Sequence, residues 1–343
     1  MNRRTFLLTG LVVSAPALVA ACGSVARRSA SPTVTLSKNV NARVEAGALS
    51  VPEAAPPVAT ATPMPPTATP VPSTPTPLPP SPTPAPVAPT KTGSGAPPNV
   101  TAAAIAVVDG ASGALLFGKS PHQQLAPASL TKIFTALVAF RLGKLDDVIT
   151  VKYDPAELPD STMMGAKPGE QYTLENLLYG LLLPSGGDAA IAIANAIGGT
   201  ESHFIELMNA QVAQLNLQDS HFVNPHGLDA AHHYSSAYDM AMGGRYGMLT
   251  YPAFRAIVGT KAWDVHGTRS FEIYNLNPDL GTYPGANGVK IGYTDDAGRT
   301  IVASATHDNH LVLVSLMRCG TYLGDTTPLF NWAFDNFTWP GEG

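Results

Sequence analysis

The pattern of hydrophobic and polar positions changes period twice along residues 99–343. Two strand-like stretches with an Asp-Gly turn between them come first, and a block of helical patterns follows. The closing third returns to strand-like stretches joined by short turns and ends in one more helical pattern. The predicted strands are 102–109, 114–119, 270–276, 288–293, 299–306 and 310–318, and the predicted helices are 130–142, 173–183, 188–197, 201–215, 235–249 and 326–337.

This order of elements predicts an α+β domain. Because short turns join the strands, the sheet should be antiparallel. Strands lie at both ends of the domain with helices between them, so the two termini are expected to complete one sheet that the helices flank.

The first 22 residues predict an export signal. Arg3 and Arg4 precede an apolar run that ends at Cys22. The run is shorter than the roughly 20 apolar residues that span a membrane comfortably. Small residues before Cys22 resemble a bacterial lipobox, which predicts lipidation of Cys22 and an extracytoplasmic, membrane-anchored lipoprotein. An ordinary cleaved signal is the alternative, and Arg3-Arg4 also resembles a twin-arginine export motif.

Residues 23–98 predict a disordered tether rich in Pro, Thr and Ala. Of the 32 prolines in the chain, 18 lie within residues 52–98. Such a segment favours polyproline II and cannot bury a hydrophobic core. The predicted organisation is therefore a signal over 1–22, a tether over 23–98 and one catalytic domain over 99–343.

Composition narrows the range of functions. The net charge is −5, and no basic run is interleaved with aromatic residues, so nucleic acid is not an expected partner. The nine histidines include His226 and the pair His232-His233, but their spacing is not that of metal ligands. We expect no metal and no cofactor. Cys319 ends an apolar run, so its thiol is expected to be a half-buried part of a strand.

Three short segments, or motifs, carry candidate chemistry: the first is 129–132, the second 185–187 and the third 290–292. Ser129 and Lys132 are three residues apart at the start of a predicted helix, so they share one face. A serine hydroxyl becomes a nucleophile when a base takes its proton, and a lysine can do so only as a neutral amine. Burial and a neighbouring cation both lower a lysine pKa, and Lys290 is the candidate second cation.

Ser185 completes this set as a candidate proton relay to the leaving group. The backbone N–H of Ser129, at a helix start, is one candidate oxyanion donor. Alone, Ser129 and Lys132 would equally fit a surface helix with a capping serine and a solvated lysine. The three segments together favour acyl transfer.

These segments make the domain resemble the serine D-alanyl-D-alanine carboxypeptidases, the low-molecular-mass penicillin-binding proteins. The resemblance implies a β-lactamase-like fold with a helical subdomain, acylation of Ser129 by peptidoglycan stem peptides, and inhibition by β-lactams. It also implies substrate binding by Gly187, Lys290, Gly292, Tyr293 and Thr294, with the Tyr293 N–H as second oxyanion donor. The similar segments are 127–132, 169–173, 181–186, 222–228, 233–239, 288–290, 297–298 and 302–305.

Two positions depart from the family pattern. Gly187 stands where the second motif normally has Asn, and Ile291 where the third normally has Thr. Each missing polar side chain would cost about 1–3 kcal/mol if no other group makes its hydrogen bond. The candidates to make it are Thr294, Asn287 or a water. A non-catalytic peptidoglycan or penicillin binder of the same fold is therefore one alternative. A β-lactamase-like hydrolase is another, although no carboxylate motif for a deacylating water is evident.

Overall fold

Five antiparallel strands form the central sheet of the computed structural model, which describes residues 86–154, 156 and 158–340. The N-terminal hairpin pairs with the last long strand, so both ends of the domain complete one sheet, as the element order predicts. Across the sheet the strands are β3 Leu115–Lys119, β2 Ala104–Asp109, β10 His310–Cys319, β9 Gly298–His307 and β8 Ala286–Thr294.

Seven α-helices are found in the described part of the chain. A 3₁₀ turn, Ala128–Leu130, leads directly into the first of them. The sequence pattern missed α6, although Pro252 at its first turn is a recognised helix start. The helices are α1 Thr131–Leu142, α2 Leu174–Leu182, α3 Gly187–Gly198, α4 Glu201–Gln214, α5 Ala237–Thr250, α6 Pro252–Gly259 and α7 Leu323–Asn336.

Short strands form three further pairs. The predicted strand 270–276 belongs to one of these pairs and not to the central sheet. That pair packs on the helical part, where the Trp263 ring stacks on Tyr179 with 3.7 Å between centroids. The pairs are β4 Val148–Thr150 with β5 Gln171–Thr173, β6 Ala262–Val265 with β7 Phe271–Tyr274, and β1 Thr90–Lys91 with β11 Phe337–Thr338.

The two faces of the central sheet bury separate hydrophobic clusters. Every residue of β2 is buried, and its side chains alternate between the two clusters. Helix α1 lies in the larger cluster and is buried from Thr131 to Ala139. A helix that is apolar almost all round belongs in a core, and its position carries Lys132 into the interior. The thiol of Cys319 is buried in the smaller cluster.

The segment before residue 99 makes folded contacts. Strand β1 pairs with β11, and the Gly95 N–H donates to Asn336 Oδ1 at 2.7 Å. The Trp332 indole N–H donates to the Gly95 carbonyl at 2.9 Å. The domain therefore begins to make contacts upstream of the predicted boundary. Cys22, Arg3, Arg4 and most of the predicted tether lie outside the described residues. Within the described ranges, no helix is both long enough and apolar enough to cross a bilayer.

Burial of Asp279 predicts a pH-dependent contribution to stability. Thr326 Oγ1 donates to Asp279 Oδ1 at 3.2 Å, and Oδ2 is buried without a partner in the part of the chain that the structure describes. Burial raises the pKa of Asp279 from 3.8 to about 6. The folded state therefore binds more protons than the unfolded state between these values, and stability falls as pH rises through this window.

We expect Asp279→Asn to remove this dependence. Relative to wild type, the variant should gain up to about 3 kcal/mol in free energy of unfolding between pH 4 and pH 7. Chemical denaturation of both proteins at the two pH values measures the gain. Asp308→Asn, at an exposed turn, is the matched control and should show no such gain. If the free energies of unfolding of Asp279→Asn and wild type differ by the same amount at both pH values, the expectation is wrong.

Candidate active site

Ser129 and Lys132 lie within hydrogen-bond distance of each other. Ser129 is in the 3₁₀ turn before α1, and Lys132 is in the first turn of the helix. Lys132 Nζ is 3.0 Å from Ser129 Oγ and donates to the His226 carbonyl at 2.5 Å. The lysine side chain is only 1% exposed. The local spacing thus places a buried amine beside a hydroxyl, as a Ser-x-x-Lys motif on a helix predicts.

The backbone just before Ser129 is held in a left-handed conformation. Ala128 has φ +50°, which is unfavourable for a residue with a Cβ. The Thr131 hydroxyl donates to the Ala128 carbonyl at 2.8 Å, and the Thr300 hydroxyl donates to the Pro127 carbonyl at 3.1 Å. The two carbonyls that precede Ser129 are therefore each tied to a buried threonine, which holds the backbone that leads into the nucleophile.

Strand β8 passes directly over this turn. A Cβ added to Gly292 would lie 2.8 Å from the Ser129 nitrogen, so the two backbones are in close contact. The Lys290 side chain is 1% exposed, and its amine donates to the Ile291 carbonyl at 3.0 Å. Tyr293 follows at the surface and is 60% exposed. The edge of the sheet thus brings the third segment to the nucleophile turn.

Burial dominates the electrostatics of the two lysines. It lowers the pKa of Lys132 from 10.5 to about 7, against an opposing effect of the Asp188 charge. Burial also lowers the pKa of Lys290 well below its usual value, and the proximity of Lys132 lowers it further. The charge on Lys132 is therefore close enough to disfavour a proton on Lys290.

Ser185 occupies the turn between α2 and α3. Its backbone has φ +68°, its side chain is 4% exposed, and its hydroxyl has no hydrogen-bond partner among the described residues. Buried polar groups are usually paired, so this hydroxyl is available to a bound molecule. Asp188 follows in the first turn of α3, and its charge acts on Lys132, which places the second segment close to the first.

The two positions that depart from the family pattern have different surroundings. Ile291 packs into the hydrophobic cluster that contains α7. The candidates to compensate for it are already hydrogen-bonded: the Thr294 hydroxyl donates to Asp229 at 2.8 Å, and Asn287 Oδ1 accepts from the Thr306 hydroxyl at 2.9 Å. Gly187 is covered by Ser161, because a Cβ added at 187 would lie 3.0 Å from the Ser161 Cβ and nearer still to its Oγ.

Sequence reasoning missed the supporting role of His233. Its Nδ1 accepts from the Val223 N–H at 3.1 Å, so its Nε2 carries the proton and donates to Thr131 Oγ1 at 2.8 Å. Burial lowers the pKa of His233 to about 4, so the ring is neutral near pH 7. The ring therefore supports the threonine that holds the nucleophile turn. The sequence places His233 at the start of a family-like segment, 233–239, but does not indicate its contact with Thr131.

Metal ligation finds no support at these histidines. Across residues 86–154, 156 and 158–340, no group of three or more His, Cys, Asp or Glu side chains is placed to hold a metal ion. His226 Nδ1 accepts from the Leu228 N–H at 3.2 Å, and burial lowers its pKa to about 3. Its described contacts are those of a neutral structural ring.

Comparisons with known proteins agree with this geometry. A family model described as D-alanyl-D-alanine carboxypeptidase, peptidase S11, matches residues 91–319. The chain is 35% identical over 252 residues to the D-alanyl-D-alanine carboxypeptidase DacA of Haemophilus influenzae, covering 70% of this chain and 64% of that protein. It is 33% identical over 236 residues to DacF of Bacillus subtilis, covering 66% and 60%. The match thus spans less than two thirds of these relatives' own length.

Solved structures give the same result. The Streptomyces K15 DD-transpeptidase superposes with a TM-score of 0.66 at 28% identity, covering 70% of this chain and 99% of that one. A penicillin-binding protein homologue from Mycobacterium tuberculosis superposes with a TM-score of 0.66 at 31% identity, covering 71% and 95%. The fold is therefore the penicillin-binding α+β fold that the resemblance implied. On these matches, the chain belongs to the D-alanyl-D-alanine carboxypeptidase family of serine peptidases, peptidase family S11.

Proposed function

We propose that the domain is a serine D-alanyl-D-alanine carboxypeptidase that removes the terminal D-alanine of peptidoglycan stem peptides. The observation that carries the proposal is the 3.0 Å contact between Ser129 Oγ and the amine of Lys132. Burial lowers the pKa of that amine to about 7, so a large fraction is neutral near neutral pH. A neutral amine at this distance can accept the hydroxyl proton.

The reaction we propose has two steps. In the first, Ser129 Oγ attacks the carbonyl of the last peptide bond while its proton passes to Lys132. The C–N bond then breaks, and the departing D-alanine amine takes a proton through the Ser185 hydroxyl, which is buried and unpaired in the described structure. In the second step, water attacks the ester carbonyl and gives one proton to the Lys132 amine. As the ester C–O bond breaks, Lys132 passes that proton to Ser129 Oγ, which restores the hydroxyl and the neutral amine, and the peptide acid loses its remaining proton to solvent and leaves as a carboxylate.

Lys290 has an electrostatic role in this proposal. In the free site, burial and Lys132 lower its pKa. An anionic group beside the amine favours the charged form, so binding of the substrate's terminal carboxylate would raise the Lys290 pKa again. The backbone of Gly292 lies against Ser129, which supports an oxyanion site formed by the N–H groups of Ser129 and Tyr293.

We further propose that the protein works outside the cytoplasm, anchored by a lipid on Cys22 and held off the membrane by the proline-rich tether. The lipobox-like residues before Cys22 and the charged n-region with Arg3-Arg4 support this location. Peptidoglycan stem peptides are then the expected substrate, and β-lactams the expected inhibitors.

A non-catalytic binder of the same fold is the second candidate. Gly187 and Ile291 favour it, because both replace polar residues of the family pattern and because Thr294 and Asn287 are hydrogen-bonded elsewhere. Neither change removes Ser129, Lys132, Ser185 or Lys290, so catalysis remains the better supported function.

Incubation with a fluorescent penicillin and with a peptide ending in D-Ala-D-Ala separates these functions. A carboxypeptidase should form a stable adduct, mapped to Ser129 by mass spectrometry, and should release D-alanine. Ser129→Ala should do neither. Peptide binding without adduct or release would support the binder, and rapid turnover of the penicillin would support a β-lactamase. Loss of activity on adding a chelator would contradict the proposed mechanism.

A further inference from the structure

The segment 158–162 occupies the space that a side chain at position 187 would need. A Cβ added to Gly187 would lie closest to the Ser161 hydroxyl, 3.0 Å from the Ser161 Cβ and 3.2 Å from a Leu158 methyl group. The contact with the hydroxyl is shorter than real Cβ atoms make, and the other two are tighter than nearly all real contacts. The glycine and the serine are therefore complementary, and the Ser161 hydroxyl lies where an asparagine side chain would begin.

Hydrogen bonds hold this segment against the second motif. The Gly187 N–H donates to the Thr162 carbonyl at 2.8 Å, and the Thr162 hydroxyl donates to the Ser185 carbonyl at 2.8 Å. A few residues on, the Asp188 carboxylate accepts from the Met164 and Gly165 N–H groups, each at 2.9 Å. The segment is thus attached at several points to the turn that carries Ser185.

The same segment faces the end of β8. Asp160 lines a cavity of about 410 Å³ together with Leu228, Asp229, Thr294 and Asp295. Thr294 follows Tyr293 at the end of the strand that passes over Ser129. Residue 160 therefore lines the same cavity as the end of β8. Ser161, the next residue in the chain, contacts the second motif at Gly187.

We propose that Ser161 is a substrate-positioning residue that replaces the absent asparagine side chain by hydrogen-bonding the backbone of the bound peptide. Ser161 is half-buried, and its hydroxyl donates to the neighbouring Thr162 carbonyl at 3.1 Å, which leaves its lone pairs as acceptors for a peptide N–H. The chain thus supplies from a loop the polar group that Gly187 cannot. The inference rests on the proposed function, because it assumes that a peptide occupies the cleft.

Steady-state kinetics of D-alanine release test the contact directly. Ser161→Ala should lower kcat/KM about 3- to 10-fold, mainly through KM, which corresponds to one lost hydrogen bond. Its melting temperature should equal that of the wild type. Ser161→Thr keeps the hydroxyl and should retain most activity, and Ser202→Ala, at an exposed position on α4, is the matched control. A Ser161→Ala kcat/KM within twofold of wild type would overturn the proposal.

A double-mutant cycle tests whether the two residues share one space. Gly187→Asn alone should lower kcat/KM at least tenfold, because the new side chain displaces the segment. Adding Ser161→Gly should recover several-fold of that loss, which is a non-additive result. If the two effects simply add, the residues do not share one space and the proposal fails. Should Gly187→Asn not fold, the Ser161→Ala and Ser161→Thr kinetics decide alone.

If the proposed function itself is wrong, the kinetic measurements give a different result from a failure of the Ser161 proposal. In that case the wild type itself would release no D-alanine. The rate of Ser129 acylation by a penicillin, whose own amide group presents a backbone-like N–H, then gives the readout for the same Ser161 variants. An unchanged acylation rate in Ser161→Ala would overturn the inference under those conditions too.

Discussion

Replacing Lys132 with methionine is expected to lower the rate of Ser129 acylation by about 10³-fold. Methionine fills a similar volume but cannot accept the proton of Ser129, which lies 3.0 Å from the lysine amine. The remaining site, including Lys290 and the strand over Ser129, should stay in place. Stopped-flow or gel measurement of labelling by a fluorescent penicillin gives the rate constant for wild type and variant.

The variant should remain folded, because two effects on stability oppose each other. The pKa of Lys132 is 10.5 when exposed and about 7 in the fold, so the folded state binds fewer protons between these values. Stability therefore rises with pH across that window, and burial of the amine destabilises the fold at and below neutral pH. Methionine removes this cost but leaves the His226 carbonyl without its lysine donor. Thermal unfolding checks the balance.

The pH dependence of the acylation rate shows whether Lys132 acts as the base or has only a structural role. Because the neutral amine is the active form, the wild-type rate constant should fall about tenfold per pH unit below pH 7 and level off above it. Lys132→Arg is the control: arginine keeps the charge and stays protonated, so it should be inactive at every pH. A wild-type rate that is flat from pH 5 to pH 8 would contradict a base with this pKa.

Much of the fold can be predicted because the long elements carry a clear period. The strands that become β8, β9 and β10 contain nine or ten residues each, enough for alternation to be visible, and short turns between them determine the antiparallel order. The strands β1, β4, β6 and β11 have two to four residues. Strands this short show no alternation of hydrophobic and polar residues. The small strand pairs therefore form through tertiary contacts, such as the stacking of Trp263 on Tyr179.

The candidate site also has a part that the sequence predicts and a part that it does not. Ser129 and Lys132 are three residues apart, so helix geometry alone predicts their contact. The residues that support them come from far along the chain: His226 and His233 lie about a hundred residues from the nucleophile turn. No local pattern indicates these contacts. The contact between Ser161 and Gly187 could not be predicted either. The sequence shows that an asparagine is missing at position 187, but it does not show which side chain occupies that space.

Replacing Gly227 with alanine is expected to lower the acylation rate at least about 100-fold. Gly227 has φ +91°, and a Cβ there would lie 2.6 Å from the Ala128 carbonyl carbon, nearer still to its oxygen, and 3.0 Å from the Thr131 hydroxyl. Those atoms fix the backbone just before Ser129. A displacement of about 1 Å in a reacting group can cost about 10²-fold in rate, and the rigid turn has no flexible side chain that could yield instead.

Gly199→Ala is the matched control for this substitution. Gly199 also has a positive φ, +72°, but a Cβ there would meet nothing within 4 Å. Both variants should lose about 1–3 kcal/mol of stability from the backbone conformation alone. Only Gly227→Ala should lose more stability than this and acylate slowly. Denaturation curves and penicillin labelling of both variants supply the comparison. Equal acylation rates in the two variants would show that the Gly227 contact does not position Ser129.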